Sequence, residues 1–407
     1  MTTILGIGTY PIRLPIHGGQ RRVSSIQCYY QKIGVKYDYI SLYNPGHYDR
    51  HSVSAGDFPF IGHDRDFPGI PFIEDLRAGM QAPANSDVME WFLAHIKRAN
   101  PDYIQLEQPF LLPLAEEAQT RTATRKFGLI HSSQNVEAPL KDALLRNAGI
   151  SAERRRNVVA LIDDIEFRAS QSSVLTLCCS VDDAAVLSRA SAAPPVVVLN
   201  GVDRPPLFEG RRSPLVEKVF KDRRFLLVVG SAYPPNIEGV HDLIVKDGLH
   251  YLPPRYSMAV CGGMSDGVYQ GAPYLRFLEA NNQRAHFFPT PSDSDLWELK
   301  MAAHAILLPI KSGGGTNLKT AEALSLGKWI VATDLSLRGY DAFRSVSGIT
   351  IANTTVSFQR AAHEVLQRPA LVIDDNERAL RDQVYWDRCF ANSNLAARLE
   401  GLIGLAA

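Results

Sequence analysis

The chain is poor in cysteine, with five in 407 residues, and none forms a C-x-x-C pair or stands at zinc-like spacing from histidine. Cys28, Cys178, Cys179, Cys261 and Cys389 are scattered and odd in number, which argues against a disulfide framework and against structural zinc. Net charge is missing too. Lys plus Arg is 43 and Asp plus Glu is 43, and residues 1–205 alone carry 21 basic and 22 acidic side chains. Without a basic footprint, no nucleic-acid partner is expected. No apolar run approaches the ~18 residues of a membrane span. The start, MTTILGIGTYPIRLP, has no cationic segment ahead of a long apolar one, so the expectation is a cytoplasmic protein with neither span nor signal peptide.

What the chain has is ordinary globular composition, 45% hydrophobic, at a length of two or three usual domains. Short apolar runs at Ile4–Ile7, Tyr103–Leu106, Phe127–Ile130, Ser173–Cys179 and Val196–Leu199 read as buried parallel strands. Helices are expected between them at Ser24–Lys32, Asp87–Ala99, Ala152–Ser170 and Asp182–Ala190. The pattern restarts after LNGVDRPPLFEGRRSP, where Gly201, Pro205, Pro206 and Gly210 make a linker. Strands then fall at Phe225–Val229, Met258–Cys261, Ala285–Phe288, Ala305–Leu308 and Trp329–Thr333, with helices near Val240–Val245, Asp293–Met301 and Asn317–Leu326. Two α/β domains follow from this alternation.

Asn44–Met80 breaks the alternation. It is rich in Gly, Pro, Phe, His and Asp, reads as too irregular for a helix, and exceeds an ordinary connection. His47, His51 and His63 near Asp64 and Asp66 invite a metal reading, but the spacings favour a substrate-contacting loop.

The stretch Ala305–Thr333, AILLPIKSGGGTNLKTAEALSLGKWIVAT, carries the chemistry. A strand ends at Pro309, the turn Gly313-Gly314-Gly315 follows, a helix starts near Thr316, and Gly327 stops it. Glycines admit close backbone approach, and the amides at a helix start form an anion site. With Thr316 as N-cap, Lys319 sits where a cation opposes the helix dipole, a sign that a bound anion would reconcile. Glu322, one turn on, is placed to accept sugar hydroxyls. A glycine turn with a surface ion pair would read the same residues without a ligand. Two other phosphate folds fit poorly: Leu318, not Gly, precedes Lys319-Thr320, and Gly6-Ile7-Gly8 is followed by Pro11 where a dinucleotide fingerprint needs its third glycine.

These residues resemble the GT-B glycosyltransferases, specifically the retaining family 4 type (glycosyl transferases group 1). GGGTNLKTAEALSLGKWIVATDLSLRGYD is similar to the donor-binding signature, LNGVD at Leu199–Asp203 to the phrase before the interdomain link, and VVGSAYPPNIEGV at Val228–Val240 to the opening of the second domain. HGGQRRV at His17–Val23 resembles the amino-terminal glycine loop and SSQNVEAP at Ser132–Pro139 a mid-domain motif. The chain departs from the family at Gly314, in place of the first of two glutamates, and at Gln134, where many relatives have histidine. Ser231 and Asn236 stand in the loop where Arg and Lys are usual.

The resemblance implies two Rossmann-like domains facing a cleft: residues 1–204 on the acceptor side, 205–385 for the nucleotide-sugar donor, hinged near Asp203–Pro214. A C-terminal helix within 386–407, with Leu395, Leu399, Leu402 and Ile403 at helical spacing, would cross back to the first domain. It further implies transfer of a hexosyl group from a UDP- or GDP-linked sugar to a hydroxyl of a glycan or lipid-linked acceptor, in cell-surface glycan or polysaccharide assembly, with retained configuration, no cofactor and no metal. The amides of Gly314, Gly315 and Thr316 with Lys319 would hold the diphosphate, Gly313 and Asn317 would complete the donor-binding set, and Gly18 and Gly19 would border the diphosphate from across the cleft. Glu322 would meet the ribose, the backbone at Phe287–Phe288 the base, and Ser231 and Asn236 the donor loop. Lys319, Glu322, His131 and Gln134 are the catalytic candidates; Glu107 and Asn135 face the acceptor. Arg21–Arg22 and Arg154–Arg156 are solvated faces or a peripheral contact with anionic lipid on the inner face of the membrane. A sugar-nucleotide epimerase and a non-catalytic nucleotide-sugar or glycan-binding protein remain as alternatives.

Overall fold

The computed structural model describes residues 2–122, 126–204, 214–313 and 316–406. Of the expected linker, Pro205, Pro206 and Gly210 lie outside them, as do Gly314 and Gly315 of the glycine turn. The chain divides into two units, the first comprising Met1–Asn200, Thr316 among the described residues of a short insert, and Cys389–Ala407, the second Gly201–Gly313 and Asn317–Arg388.

The first unit is built on a seven-stranded parallel sheet. Its strands are β1 (Thr3–Gly8), β2 (Lys36–Tyr43), β3 (Phe58–Pro59), β4 (Tyr103–Leu106), β5 (Gly128–Ser132), β6 (Ser173–Cys178) and β7 (Val196–Val197), in the order β3-β2-β1-β4-β5-β6-β7. Ile7 pairs with Leu106 and Leu106 with His131, so the C-terminal ends of the three middle strands are level. Helices Gly18–Lys32, Ser86–Ala99, Leu112–Arg121, Glu137–Asn147 and Ala152–Ser172 connect them. Leu5, Ile7, Ile40, Leu42, Ile104 and Leu106 share one core with Phe92 and Phe110. Each such side chain contributes about 1.5–3 kcal/mol of burial. β2 was not anticipated, because its tyrosines and Asp38 interrupt the apolar run. Gly6 and Gly8 explain them: a Cβ at Gly6 would lie 2.0 Å from the Tyr37 hydroxyl, and one at Gly8 2.3 Å from that of Tyr39. The G-x-G of β1 makes room for two rings, not for a dinucleotide.

The second unit holds β8 (Phe225–Val229), β9 (Ser257–Cys261), β10 (Ala285–Phe288), β11 (Ala305–Leu308), β12 (Trp329–Ala332) and β13 (Ile349–Ile351), parallel, in the order β10-β9-β8-β11-β12-β13. Alternate residues face opposite cores. Leu226, Val228 and Leu307 pack with Phe358 and Ile244, while Phe225, Leu227 and Leu308 pack with Phe220 and Leu324. Burial on both faces is why these strands read as unbroken apolar runs.

Three expectations change. The irregular segment ends earlier, since helix Glu74–Gln81 takes its last residues, and Phe58–Pro59 adds an edge strand. Arg77 gathers the remainder, donating to Phe67 O at 2.8 Å and Ile70 O at 2.7 Å and pairing with Asp64, while Gln81 holds both backbone groups of His63. Among the described residues no group of three His, Cys, Asp or Glu is placed to hold a metal ion. Arg22 is not a surface residue: it is 1% exposed, and its guanidinium donates to Val198 O, Cys178 O and Asn200 Oδ1. Third, the helix after the glycine turn is Leu318–Ser325 with Asn317 as its cap, one residue later than expected.

At the C-terminus, helix Leu395–Ala406 belongs to the first unit. Tyr29 and Phe390 stack at 4.3 Å, and the Tyr103 hydroxyl donates to Leu402 O at 3.2 Å. No helix among the described residues is long and apolar enough to cross a membrane.

Candidate functional site

In each sheet the strand order reverses at one place, between β1 and β4 in the first and between β8 and β11 in the second. Loops leaving adjacent strands there run in opposite directions and open a crevice at the strands' carboxyl ends, where open α/β sheets bind ligands. Most of the expected site residues gather at these two places, but His131 does not, and Phe288 ends the edge strand β10.

In the second unit, β8 delivers Ser231 and Asn236, and β11 leads through Gly313 to Asn317 and Lys319. Asn317 Oδ1 accepts from the Lys319 amide at 3.1 Å, capping the helix. The Lys319 ammonium donates to Asn236 Oδ1, and Asn236 Nδ2 donates to Ser231 O at 3.1 Å and Ser231 Oγ at 3.2 Å. Burial pushes the Lys319 ammonium down to about 8, partly countered by Glu322. It remains a cation at neutral pH, with little water around it. Gly313 has φ 128°, and its carbonyl accepts from Arg338 Nη2 at 3.0 Å. Thr316, which groups with the first unit, is half-buried. Glu322 does not stand alone, as its carboxylate pairs with Lys300 at 3.0 Å. The Phe288 carbonyl is taken by the Gly262 amide at 2.9 Å, and its ring lies 6.2 Å from that of Phe220.

In the first unit the helix Gly18–Lys32 starts just beyond β1, with a capping box between His17 and Gln20. Gly18 is exposed. A Cβ at Gly19 would lie 2.5 Å from Gln134 Oε1 and 2.6 Å from the Tyr10 hydroxyl, so glycine is needed for this contact with the protein itself. Gln134 Nε2 donates to the Tyr10 hydroxyl and, at 3.0 Å, to Glu107 O. Glu107 is fully buried, accepting at 2.6 Å from both the Tyr37 hydroxyl and Gln105 Nε2, and burial pushes its carboxyl above the usual range. It is therefore the centre of a polar network under the crevice rather than a solvated strand-end carboxylate.

Gly19, Glu107 and Gln134 thus come together, with Tyr10 as a member that the sequence offered no signal for. His131 is set apart. It has no exposed surface, its Nδ1 faces Ser170 Oγ at 3.0 Å, and burial pushes the ring down to about 4, leaving it neutral. It holds β5 against helix Ala152–Ser172. Asn135 Nδ2 meets Glu137 Oε1 at 3.3 Å.

No family model matches the chain, and no curated protein matches it by sequence. Solved structures do match in shape. Sucrose-phosphate synthase from Thermosynechococcus elongatus aligns over 100% of both chains with a TM-score of 0.70 at 13% identity. The fold is GT-B. HepE of Anabaena, solved in complex with UDP-glucose, has a TM-score of 0.61 at 14% identity over 99% of this chain and 100% of that one. WaaG, a glycosyltransferase involved in lipopolysaccharide biosynthesis, has 0.59 at 15% over 96% and 95%. On this GT-B chain, then, the crevices above are the places where a ligand has to be sought.

Proposed function

We propose that the chain is a retaining glycosyltransferase of the family 4 type, moving a hexosyl group from a UDP- or GDP-linked donor to a hydroxyl of a glycan or lipid-linked acceptor. The observation that carries the reading is the Lys319 ammonium, held by Asn236 in the first turn of the helix Leu318–Ser325, with the Glu322 carboxylate one turn further on. A partly desolvated cation there meets a diphosphate more strongly than it would in water. UDP-glucose in the HepE structure supports the same donor class.

In the reaction, the bond from the anomeric carbon to the diphosphate oxygen breaks as the acceptor oxygen bonds to the same face of that carbon. The acceptor proton passes to the leaving phosphate oxygen. Negative charge gathers on the departing diphosphate, so Lys319 and the turn amides stabilise the transition state more than the ground state. The step as written uses no metal and no protein nucleophile. Glu322 receives the ribose hydroxyls, and Gln134 and Asn135 of the first unit serve the transferred sugar or acceptor. A cytoplasmic enzyme of cell-surface glycan assembly, with the exposed Arg21 and Arg156 available to anionic lipid while Arg155 pairs with Asp142, fits this chemistry.

A thermal-shift series with UDP, GDP and their sugars tests the reading. A bound nucleotide at 100 times its dissociation constant stabilises by about 2.7 kcal/mol. No shift with any of them would overturn it. Sugar isomerisation without an acceptor would mark an epimerase, and tight binding with neither transfer nor donor hydrolysis a binding protein.

A further inference from the structure

Lys300 lies at the end of helix Asp293–Ala302, in a stretch where the sequence suggested nothing but a helix. Its ammonium sits 3.0 Å from Glu322 Oε2, and the side chains are only 14% and 27% exposed. Both line one small cavity with Lys319, walled by Val229, Leu308 and Leu326. Glu322's carboxylate takes no other hydrogen bond among the described residues, so its second oxygen has no donor among them. Two cations therefore flank one carboxylate, and only Lys300 bonds it. Apolar walls strengthen the pairing, because little water competes for either charge.

We propose that Lys300 is a positioning residue for ribose recognition: by holding one oxygen of Glu322, it fixes the carboxylate to receive the hydroxyls of a donor nucleotide's ribose. This rests on the nucleotide-sugar reading above. Without Lys300, Glu322 is free to turn along its own helix to Lys319, its i−3 neighbour. That contact would spend both the sugar acceptor and the phosphate donor on each other. Lys300 keeps the two functions apart.

The test is calorimetric titration of the full chain with UDP and GDP, their 2′-deoxy counterparts and inorganic pyrophosphate. In Lys300→Met, affinity for the ribonucleotide that the unsubstituted chain binds should fall about tenfold, the size of one charged hydrogen bond. Affinity for its deoxy counterpart and for pyrophosphate should hold, so the ribose preference disappears. Lys300→Arg should keep that preference, and Lys300→Met should add no further loss to Glu322→Gln. An intact ribose preference in Lys300→Met overturns this inference alone. So does an equal loss with pyrophosphate, which would make Lys300 a phosphate contact. Failure of the unsubstituted chain to bind either nucleotide would overturn the nucleotide reading and this inference with it. Unchanged circular dichroism verifies that each variant is folded.

Discussion

Lys319 and Asn236 are 83 positions apart, yet the ammonium of one donates to the side-chain oxygen of the other. The contact exists because β8 and β11 are neighbours in the sheet and their outgoing loops start side by side. Asn236 aims the cation without neutralising it, which leaves the full charge for a ligand.

Lys319→Ala should lower turnover at least tenfold, a loss of about 1.4 kcal/mol or more of transition-state stabilisation. Alanine suits the helix, so the melting temperature should hold. Near-normal initial rates would remove Lys319 from the reaction.

Nucleotide affinity should fall as pH rises through about 8, where Lys319 loses its proton. A bound anion favours the charged form, so binding near pH 8 should take up protons. Calorimetry in buffers of different ionisation enthalpy reads that uptake directly. It should vanish in Lys319→Ala.

Glu166 reaches across from helix Ala152–Ser172 to accept from the Glu137 amide at 2.9 Å, capping a helix whose own Val136 cannot. Burial pushes Glu166 up to about 8 and Glu137 up to about 7. Their folded pKa values lie above the unfolded ones, so the folded state holds extra protons between about pH 4.5 and 8. That stabilisation is complete below pH 4.5 and is lost as pH rises towards 8. Glu166→Gln should flatten this loss and raise the melting temperature at pH 9 by about 3 °C or more, against little change at pH 5. Equal pH profiles would show that the pair does not titrate this way.

Arg22→Met should cost about 3 kcal/mol or more, because three buried acceptors lose their donor. Denaturant unfolding measures it. Arg21→Ser and Arg156→Ser, both exposed, should stay within about 0.5 kcal/mol and reduce cosedimentation with phosphatidylglycerol vesicles. A stable Arg22→Met protein would contradict the burial.

Much of the second unit was legible in the sequence. Phe225–Val229, Ala285–Phe288 and Ala305–Leu308 are strands at the expected residues, since burial on both faces writes a run that local reading recovers. The helix Leu318–Ser325 was legible for the same local reason, although Asn317 rather than Thr316 caps it. The tyrosine strand Lys36–Tyr43 was not. Its rings are apolar partners only because Gly6 and Gly8 stand opposite, and nothing in the strand itself announces that.

By itself, then, the sequence determined two alternating α/β units, the helix that carries Lys319 and Glu322, and the candidates Glu107, Gln134 and Glu322, because propensity, periodicity and capping act over a few residues. Tertiary structure alone decided the partners: Asn236 for Lys319, Lys300 for Glu322, Tyr10 for Gln134, and burial instead of solvent for Arg22 and His131. Those pairings follow from which strands lie adjacent and which way the order reverses. Strand adjacency is settled by packing across whole cores, and no local period carries it.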